Sequence, residues 1–279
     1  MSQEDVVVRL AAAVSQAPRY RDIDRGLVRR IAAEELPRSR TEADAVKRVK
    51  RRLHQAVGAY GSGARRRDEP LAAVRNAWAG DLQAAEFTEA CRAILALHAS
   101  TRERLPDVLN FYQRIWAAAG GPPMKLLDLG CGLGPLALPW MGLPRTAHYN
   151  AIDVDTGQLA IVDSFFDLVG QPHATQALDL AVDTPAASAD VALLLKLVPI
   201  LDRREPAAAE ILIRDLNVRH AAVSFPGASL GGRAKGMERT YRLRMEHLIQ
   251  ALGARVREAR ETSVSSELVF VLELQPALG

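Results

Sequence analysis

The chain has 279 residues, of which 48% are hydrophobic, and a formal net charge of +3 at pH 7. This is enough apolar sequence for a hydrophobic core, in one large domain or two smaller ones. No window reaches the roughly 18 uninterrupted apolar residues of a membrane span, and the N-terminus lacks the pattern of a secretory signal. Cys91 and Cys131 lie far apart and form neither a disulfide framework nor a zinc motif, so we expect a cytoplasmic protein without a metal site.

Positive charge is concentrated in the N-terminal part of the chain. Residues 1–75 carry a net charge of +7, whereas the rest of the chain carries −4. A basic segment beside a mildly acidic remainder favours a polyanionic partner, and nucleic acid is the simplest one.

The first 120 residues are predicted to be helical, because apolar positions recur at helical spacing. Thr41 and Asp81 are plausible N-caps in this region. The predicted helices span residues 4–17, 22–36, 41–58, 70–79, 82–99 and 106–119.

After residue 120, short apolar runs alternate with helical stretches. The predicted strands span residues 124–129, 147–152, 173–178, 190–195, 220–225 and 267–274, and the predicted helices span 156–169, 203–217 and 237–252. This alternation indicates an α/β fold with a mostly parallel sheet. A strand near 255–262 is expected to pair antiparallel with the last strand. We therefore predict a helical domain at 1–120 and an α/β domain at 121–279.

A glycine-rich loop follows the first predicted strand. The stretch LLDLGCGLGPLALPWMGLP, residues 126–144, places Gly130, Gly132 and Gly134 directly after an apolar run. Glycines let the chain take positive φ and let a ligand lie against the backbone. The pattern DxGxGxG, which begins at Asp128, differs from the GxGxxG of dinucleotide-binding proteins and from a P-loop. It resembles the first motif of S-adenosylmethionine-dependent methyltransferases, although a tight turn without a ligand is compatible with the same glycines.

Acidic residues follow the next two predicted strands. Asp153 follows the second strand directly, with Asp155 two residues further, where a carboxylate can accept hydrogen bonds from ribose hydroxyls. Asp179 follows the third strand and is placed to meet the amino group of an adenine. Any one of these acids is compatible with a helix cap, but all three in this order favour an S-adenosylmethionine site.

The end of the fourth predicted strand, within LLLKLVPILDRRE (193–205), is expected to face the methyl acceptor. It lacks the Asn/Asp-Pro-Pro-aromatic motif of enzymes that methylate exocyclic amines, and neither cysteine is placed to attack a cytosine. The N7 atom of guanine needs neither device, because it has an in-plane lone pair and carries no proton. The protein then contributes mainly proximity and orientation.

The predicted helix 41–58 carries an unbroken basic run. Val46, Val49, Leu53 and Val57 form an apolar stripe, and the basic residues are expected on the opposite face. We predict that this face contacts RNA phosphates, the alternative being an ordinary solvated face. The candidate RNA-binding residues here and just beyond are Lys47, Arg48, Lys50, Arg51, Arg52, His54, Arg65, Arg66 and Arg67.

Five segments carry a resemblance that spans nearly the whole chain. They are AVKRVKRRLHQAVGAY (45–60), LHASTRERL (97–105), DLGCGLGPLALPWMGLP (128–144), LLLKLVPILDRRE (193–205) and SFPGASLGGRAKGM (224–237). In these the chain resembles the aminoglycoside-resistance 16S ribosomal RNA guanine-N7 methyltransferases. The resemblance implies an N-terminal helical domain that docks on the 30S subunit and a Rossmann-like class I methyltransferase domain. It also implies methylation of guanine 1405, in rRNA numbering, at the decoding site.

The resemblance further implies roles for individual residues. Arg102 would bind the carboxylate of the cofactor's methionine, and Lys196 would lie near the methyl group and target base, so both are candidate catalytic residues. Arg233, Lys235 and Met237 would contact RNA around a flipped guanine. The candidate cofactor-binding residues, from pattern and resemblance together, are Arg102, Asp128, Gly130, Gly132, Gly134, Asp153, Asp155, Asp179 and Leu180.

The chain departs from the family at three points. Gly134 stands where Asn is common, Gly227-Ala228 where a lysine often follows Phe-Pro, and Ser265-Ser266 where Gly-Asn usually precedes Glu267. Three alternatives stay open: a small-molecule methyltransferase of a biosynthetic cluster, a non-catalytic 30S-binding factor, and an enzyme for the nearby adenine N1. We expect a monomer.

Overall fold

The computed structural model describes residues 2–57, 68–226, 234–264 and 267–276. Its N-terminal part is helical, as predicted, and Thr41 caps α3 by accepting a hydrogen bond from the Asp44 N–H at 3.1 Å. None of the helices in the described ranges is long and apolar enough to cross a membrane. The first seven helices are α1 (Gln3–Ser15), α2 (Arg25–Glu35), α3 (Glu42–Val57), α4 (Asp68–Ala77), α5 (Ala85–Leu95), α6 (Ala99–Arg102) and α7 (Val108–Ala118).

The rest of the chain forms one mixed sheet with helices on its faces. The strands are β1 (Lys125–Leu129), β2 (His148–Asp153), β3 (His173–Ala177), β4 (Ala189–Leu195), β5 (Val218–Pro226), β6 (Val256–Val264) and β7 (Glu267–Leu274). The helices are α8 (Leu138–Met141), α9 (Thr156–Val169), α10 (Val198–Arg204), α11 (Ala208–Asp215) and α12 (Ala234–Leu252). The sheet order is β3-β2-β1-β4-β5-β7-β6. Neighbouring strands from β3 to β5 pair parallel, and β7 pairs antiparallel with both β5 and β6. The predicted α/β class and the antiparallel final pair are confirmed.

The register of the parallel strands aligns their carboxyl ends at one edge. Leu129 pairs with Ile152 across β1 and β2, and Asp128 pairs with Leu193 across β1 and β4. The strand order reverses between β1 and β4, and open α/β sheets bind ligands at such a reversal. The segments that follow β1, β2, β3 and β4 therefore meet in one place.

Two predicted helices differ from the observed ones in their bounds. The predicted helix 203–217 is wrong in its bounds, because α10 ends at Arg204 and α11 begins only at Ala208. Pro206 explains the break, since the residue before a proline is biased towards extended backbone, and Glu205 has φ −139° and ψ 134°. The predicted helix 82–99 likewise starts late: α5 begins at Ala85, and the Asp81 side chain accepts from the Gln83 N–H instead of capping a helix.

Buried side chains form three hydrophobic clusters. Leu126 and Leu127 of β1 point to opposite faces of the sheet, and each belongs to a different cluster. Helices α4, α5 and α7 share the first cluster with the sheet, while α1 to α3 have a core of their own, centred on Val14, Val28 and Leu53. The division into domains at residue 120 stays a prediction, and packing across it is extensive.

Candidate cofactor and methyl-transfer site

A pocket lies at the carboxyl ends of β1, β2 and β4, where the strand order reverses. The loop after β1, the residues that follow β2, β3 and β4, and the segment around α6 all contribute to its wall. The lining residues are His98, Ser100, Thr101, Arg104, Asp128, Gly130, Cys131, Gly132, Leu133, Gly134, Asp153, Val154, Gln158, Leu178, Leu180, Leu195, Lys196, Leu197, Ile200, Leu201 and Arg204. Seven of the predicted site residues are among them: Asp128, Gly130, Gly132, Gly134, Asp153, Leu180 and Lys196.

The glycine loop needs glycine at two of its three positions. Gly130 and Gly132 have φ of +67° and +53°, a region that L side chains rarely adopt. A Cβ on Gly130 would also lie 3.0 Å from Leu197 Cδ1. Gly134 is different, because its backbone is not left-handed and a Cβ would lie 3.7 Å from Asp128 Oδ2, an ordinary contact. The backbone therefore does not require glycine at residue 134, and it does not explain why this chain has no Asn there.

Two predicted acids present carboxylates to the pocket from the ends of β1 and β2. Asp128 is buried and accepts a hydrogen bond from the Tyr149 hydroxyl at 2.6 Å. Burial raises the pKa of Asp128 to about 6, against the opposing effects of Tyr149 and Arg104. Asp153 accepts hydrogen bonds from the N–H groups of Gly132 at 2.8 Å and Asp155 at 2.9 Å. A carboxylate has about four lone-pair sites, so Asp153 keeps acceptor capacity for a ligand hydroxyl.

The other two predicted acids do not line the pocket. Asp155 is buried at the start of α9, where it accepts hydrogen bonds from the backbone and side-chain N–H groups of Gln158, both at 3.0 Å. Asp179 is buried between two arginines: Arg204 donates to its two oxygens at 2.5 and 2.8 Å, and Arg30 of α2 also donates to it. Burial would raise the pKa of Asp179, but these arginines outweigh burial and lower it.

Lys196 occupies an unusual position directly after β4. Its backbone is left-handed with φ +59°, and its side chain is 2% exposed. The Nζ atom lies 2.6 Å from Glu103 Oε2 and 3.3 Å from Glu267 Oε1, and it donates to the Ser100 carbonyl at 3.5 Å. A left-handed backbone at a residue other than glycine costs about 1–3 kcal/mol and is typical of functional sites.

A buried ion-pair cluster surrounds this lysine. Glu267 at the start of β7 is fully buried and accepts from Arg104 Nε at 2.7 Å and from the Ser224 hydroxyl at 2.5 Å. The Arg104 guanidinium also lies 4.5 Å from the centre of the Phe111 ring. The cluster therefore holds two cations, Lys196 and Arg104, and two carboxylates, those of Glu103 and Glu267. The sequence pattern did not single out Glu103 and Arg104, although both directly follow Arg102 in STRERL.

Arg102 does not reach the pocket. Its side chain is exposed, and Arg104 two residues later lines the wall instead. Helix α6 ends at Arg102 and Arg104 lies in the turn that follows it, so one arginine of the motif faces solvent while the other faces the site. The part assigned to Arg102 at the cofactor's carboxylate has no support from this placement.

The basic helix α3 presents only part of its charge to solvent. The expectation that Arg48 and Arg52 lie on the solvent face is wrong, because α3 packs against α2 and α10. Arg48 donates to buried Glu35 at 2.6 Å, and Arg52 lies beside Glu35 at 3.3 Å and Glu205 at 3.5 Å. The remaining basic residues of this run form a solvent-facing stripe with Arg19, which donates to His54 Nδ1 at 2.7 Å. The stripe consists of Arg19, Lys47, Lys50, Arg51 and His54, all of which are exposed except the half-buried Lys50.

Several predicted RNA-binding residues lie outside the described residues. They are Arg65, Arg66, Arg67 and Arg233, and the departures at Gly227-Ala228 and Ser265-Ser266 lie outside them as well. Lys235 belongs to α12, but its side chain is not described. Met237 is half-buried in the first turn of that helix.

The chain's family follows from comparison with known proteins. The family described as "Ribosomal RNA methyltransferase (FmrO)" matches residues 16–271. The chain belongs to this family. A 16S rRNA (guanine(1405)-N(7))-methyltransferase of Frankia casuarinae is 37% identical over 97% of this chain and 95% of its own length. A protein of the same name from Micromonospora echinospora is 34% identical over 97% of each chain.

A solved structure agrees with this placement in fold. The crystal structure of the 16S rRNA methyltransferase RmtF in complex with S-adenosyl-L-homocysteine aligns with a TM-score of 0.79 and 33% identity. The alignment covers 99% of this chain and 100% of RmtF. The Rossmann-like class I methyltransferase fold with a helical N-terminal region is thereby confirmed.

The residues that line the pocket suit the S-adenosyl cofactor of this family. The glycine loop leaves the space that a Cβ on Gly130 would fill, and Asp153 offers free acceptor capacity to ribose hydroxyls. Leu178 and Leu180 supply an apolar wall beside it. Cys131 is buried in the loop, and burial raises the pKa of its thiol, so it packs as a neutral side chain and is unsuited to act as a nucleophile. Among the described residues no group of three or more side chains is arranged to hold a metal ion.

Proposed function

We propose that this chain transfers a methyl group from S-adenosylmethionine to N7 of guanine 1405 of 16S rRNA, in assembled 30S subunits. The observation that carries the proposal is the match, over 97% of the chain, to relatives that are named for this reaction. The pocket at the switch point of the sheet supplies the matching chemistry. Because ribosomes are the substrate, the protein acts in the cytoplasm, and a monomer is sufficient.

The reaction needs orientation more than acid–base catalysis. S-adenosylmethionine supplies an electrophilic methyl group on a sulfonium. The methyl moves from sulfur to the N7 lone pair, the sulfonium becomes a neutral thioether, and the guanine becomes cationic. No proton leaves N7, so no general base is required. Lys196 is held as an ammonium between Glu103 and Glu267, and we assign it the task of orienting groups at the rim of the pocket.

The residues that would hold the cofactor come from three strands. We assign Gly130 and Gly132 to backbone contact with it, Asp153 to the ribose, and the apolar side chains of Leu178 and Leu180 to the adenine. Asp179 holds Arg204 and Arg30 instead, and Asp155 caps α9. This assignment replaces the carboxylate–adenine contact predicted from the sequence by an apolar wall.

We assign docking on the 30S subunit to the three-helix unit of α1 to α3. Its basic stripe of Arg19, Lys47, Lys50, Arg51 and His54 faces solvent, and rigid basic surfaces suit folded RNA, which is read largely through shape and backbone. Reaching N7 in a stacked helix requires the guanine to leave the stack and enter the pocket.

Methylation of guanine 1405 should protect the ribosome against 4,6-disubstituted deoxystreptamine drugs such as gentamicin and kanamycin. The product guanine carries a positive charge and an added methyl group at the decoding site. Both features oppose the binding of polycationic drugs, by charge repulsion and by bulk.

The proposal is tested by incubating the protein with tritiated S-adenosylmethionine and, separately, 30S subunits, 50S subunits and free 16S rRNA. We expect label in 30S subunits, absent with an Asp153→Ala control, and raised gentamicin and kanamycin resistance in a sensitive host. Label in no RNA would favour a small-molecule methyltransferase. Binding to 30S subunits without affinity for S-adenosylhomocysteine would favour a non-catalytic factor.

A further inference from the structure

The three-helix unit contacts the segment that directly follows β2. Residues just before α2 pair with the segment that follows β2: the Asp24 N–H donates to the Val154 carbonyl at 2.8 Å, and the Thr156 N–H donates to the Asp22 carbonyl at 2.8 Å. Ile23 and Asp155 form an antiparallel bridge between these hydrogen bonds. Val154 lines the pocket, so this two-hydrogen-bond bridge fixes the backbone directly after the ribose-binding Asp153.

A second contact lies at the end of β3. Arg30 of α2 donates to Asp179, and Arg204 of α10 donates to both oxygens of the same carboxylate. Leu178 and Leu180, the neighbours of Asp179, line the pocket, and so does Arg204. The Asp179 side chain is 5% exposed, so this contact lies in a region of weak solvent screening.

We propose that the three-helix unit braces the cofactor pocket, and that Arg30 is a positioning residue for S-adenosylmethionine. The inference rests on the cofactor site described under the proposed function. Arg30 is not among the residues that line the pocket, and it acts by fixing Asp179 and thereby the backbone of Leu178 and Leu180. The docking unit of the enzyme is then also a structural part of its cofactor site.

Loss of Arg30 should loosen the pocket without unfolding the protein. Asp179 keeps its two hydrogen bonds from Arg204. The other carboxylates near Arg30, those of Glu34 and Glu205, both keep Arg52 as a partner. Each of the three carboxylates that pair with Arg30 therefore keeps another cation, so the large cost of an uncompensated buried charge does not arise. The variant loses the hydrogen-bonded ion pair that joins α2 to the segment after β3.

The experiment compares Arg30→Met with Arg29→Met in the full-length protein. Arg29 is the matched control, because it lies on the same helix and pairs with exposed Glu4 instead of Asp179. We expect Arg30→Met to raise the Kd for S-adenosylhomocysteine in calorimetry, and the KM for S-adenosylmethionine, by about 3- to 30-fold. The kcat at saturating cofactor and the melting temperature should stay near wild type, and Arg30→Lys should restore part of the affinity.

Unchanged affinity in folded Arg30→Met, or a fall in kcat with unchanged KM, would overturn the inference. Absence of S-adenosylhomocysteine binding by the wild type would instead contradict the cofactor site itself, so the two failures are distinguishable. If Arg30→Met does not fold, Thr156→Val tests the other contact, because it removes the hydroxyl that donates to the Asp22 carbonyl at 2.8 Å. Equal binding by Thr156→Val and wild type would then count against the brace.

Discussion

Replacing Glu267 with glutamine keeps the shape of a buried side chain and removes one negative charge from the cluster around Lys196. In the wild type, Glu267 is fully buried, and its Oε1 atom lies 2.7 Å from Arg104 Nη2 and 3.3 Å from Lys196 Nζ. The variant leaves two buried cations beside a single remaining carboxylate, that of Glu103. Arg104, which is 6% exposed, then has no charged partner within ion-pair distance among the described residues.

Breaking a buried ion pair by neutralising one partner costs about 3–5 kcal/mol, because the remaining charge stays in a region that water does not reach. We expect the free energy of unfolding of Glu267→Gln to be lower than that of the wild type by an amount within that range. The hydrogen bond from Ser224 to Glu267, at 2.5 Å, is weakened as well, since a neutral amide oxygen replaces a charged acceptor.

The assay is urea denaturation, followed by fluorescence and circular dichroism so that coincident transitions justify a two-state fit. Glu258→Gln is the matched control, because Glu258 pairs with Arg260 at an exposed site, and we expect it to leave the midpoint unchanged. A loss below about 1 kcal/mol for Glu267→Gln would mean that water or a rearranged Glu103 compensates both cations, and that the ion pair does not contribute the expected stability.

Three further predictions concern the pocket and the basic stripe. The folded-state pKa of Asp128, about 6, exceeds the usual 3.8, so its ionisation costs stability as pH rises. Urea titrations should show Asp128→Asn gaining about 2 kcal/mol on the wild type between pH 4 and 7, and a constant difference would contradict the burial argument. Gly130→Ala should weaken S-adenosylhomocysteine binding at least about tenfold in calorimetry, because the new Cβ would meet Leu197. The control is Gly142→Ala: residue 142 has φ +62° and no atom within 4 Å of the new Cβ, so this variant should lose only about 1–2 kcal/mol of stability. Equal affinities of the two variants would contradict the steric argument. The double variant Lys47→Gln/Arg51→Gln should lower the slope of log K against log salt for 30S binding by about 1.5 to 2, and an unchanged slope would remove these residues from the interface.

Local pattern was sufficient for the sheet and for the glycine loop. Alternating apolar runs predict the strands because both faces of a parallel sheet are covered, and the pairing of β6 with β7 follows from the short segment between them. The positive φ at Gly130 and Gly132 was foreseeable, since only glycine takes that backbone without strain. Asp128 and Asp153 line the same pocket because the ends of their strands align at one edge.

The long-range ion pairs could not be predicted from the local sequence pattern. The partners of Arg48, Arg52 and Asp179 lie between 13 and 153 residues away, and nothing in the local sequence distinguishes a basic residue that faces water from one that faces a buried carboxylate. The same applies to Glu267, which the sequence presents only as the residue after a departure from the family.

One predicted helix has the wrong ends because its apolar periodicity continues across a proline that breaks the helix. Pro206 indicates a break within the predicted helix 203–217, yet apolar residues on both sides kept the helical spacing. The structure places α10 and α11 on either side of it, which brings Arg204 to the wall of the pocket. The break therefore has a consequence for the site.

Chemical mapping of the modified nucleotide shows whether the methyl group reaches N7 of guanine 1405. Purified 30S subunits are methylated with the full-length protein, and the rRNA is treated with borohydride and aniline, which cleave at 7-methylguanine. We expect a single cut at guanine 1405, absent with Asp153→Ala. Label in the 30S subunit without that cut would exclude guanine 1405 N7 as the target and move the reaction to another atom or base, such as the nearby adenine N1.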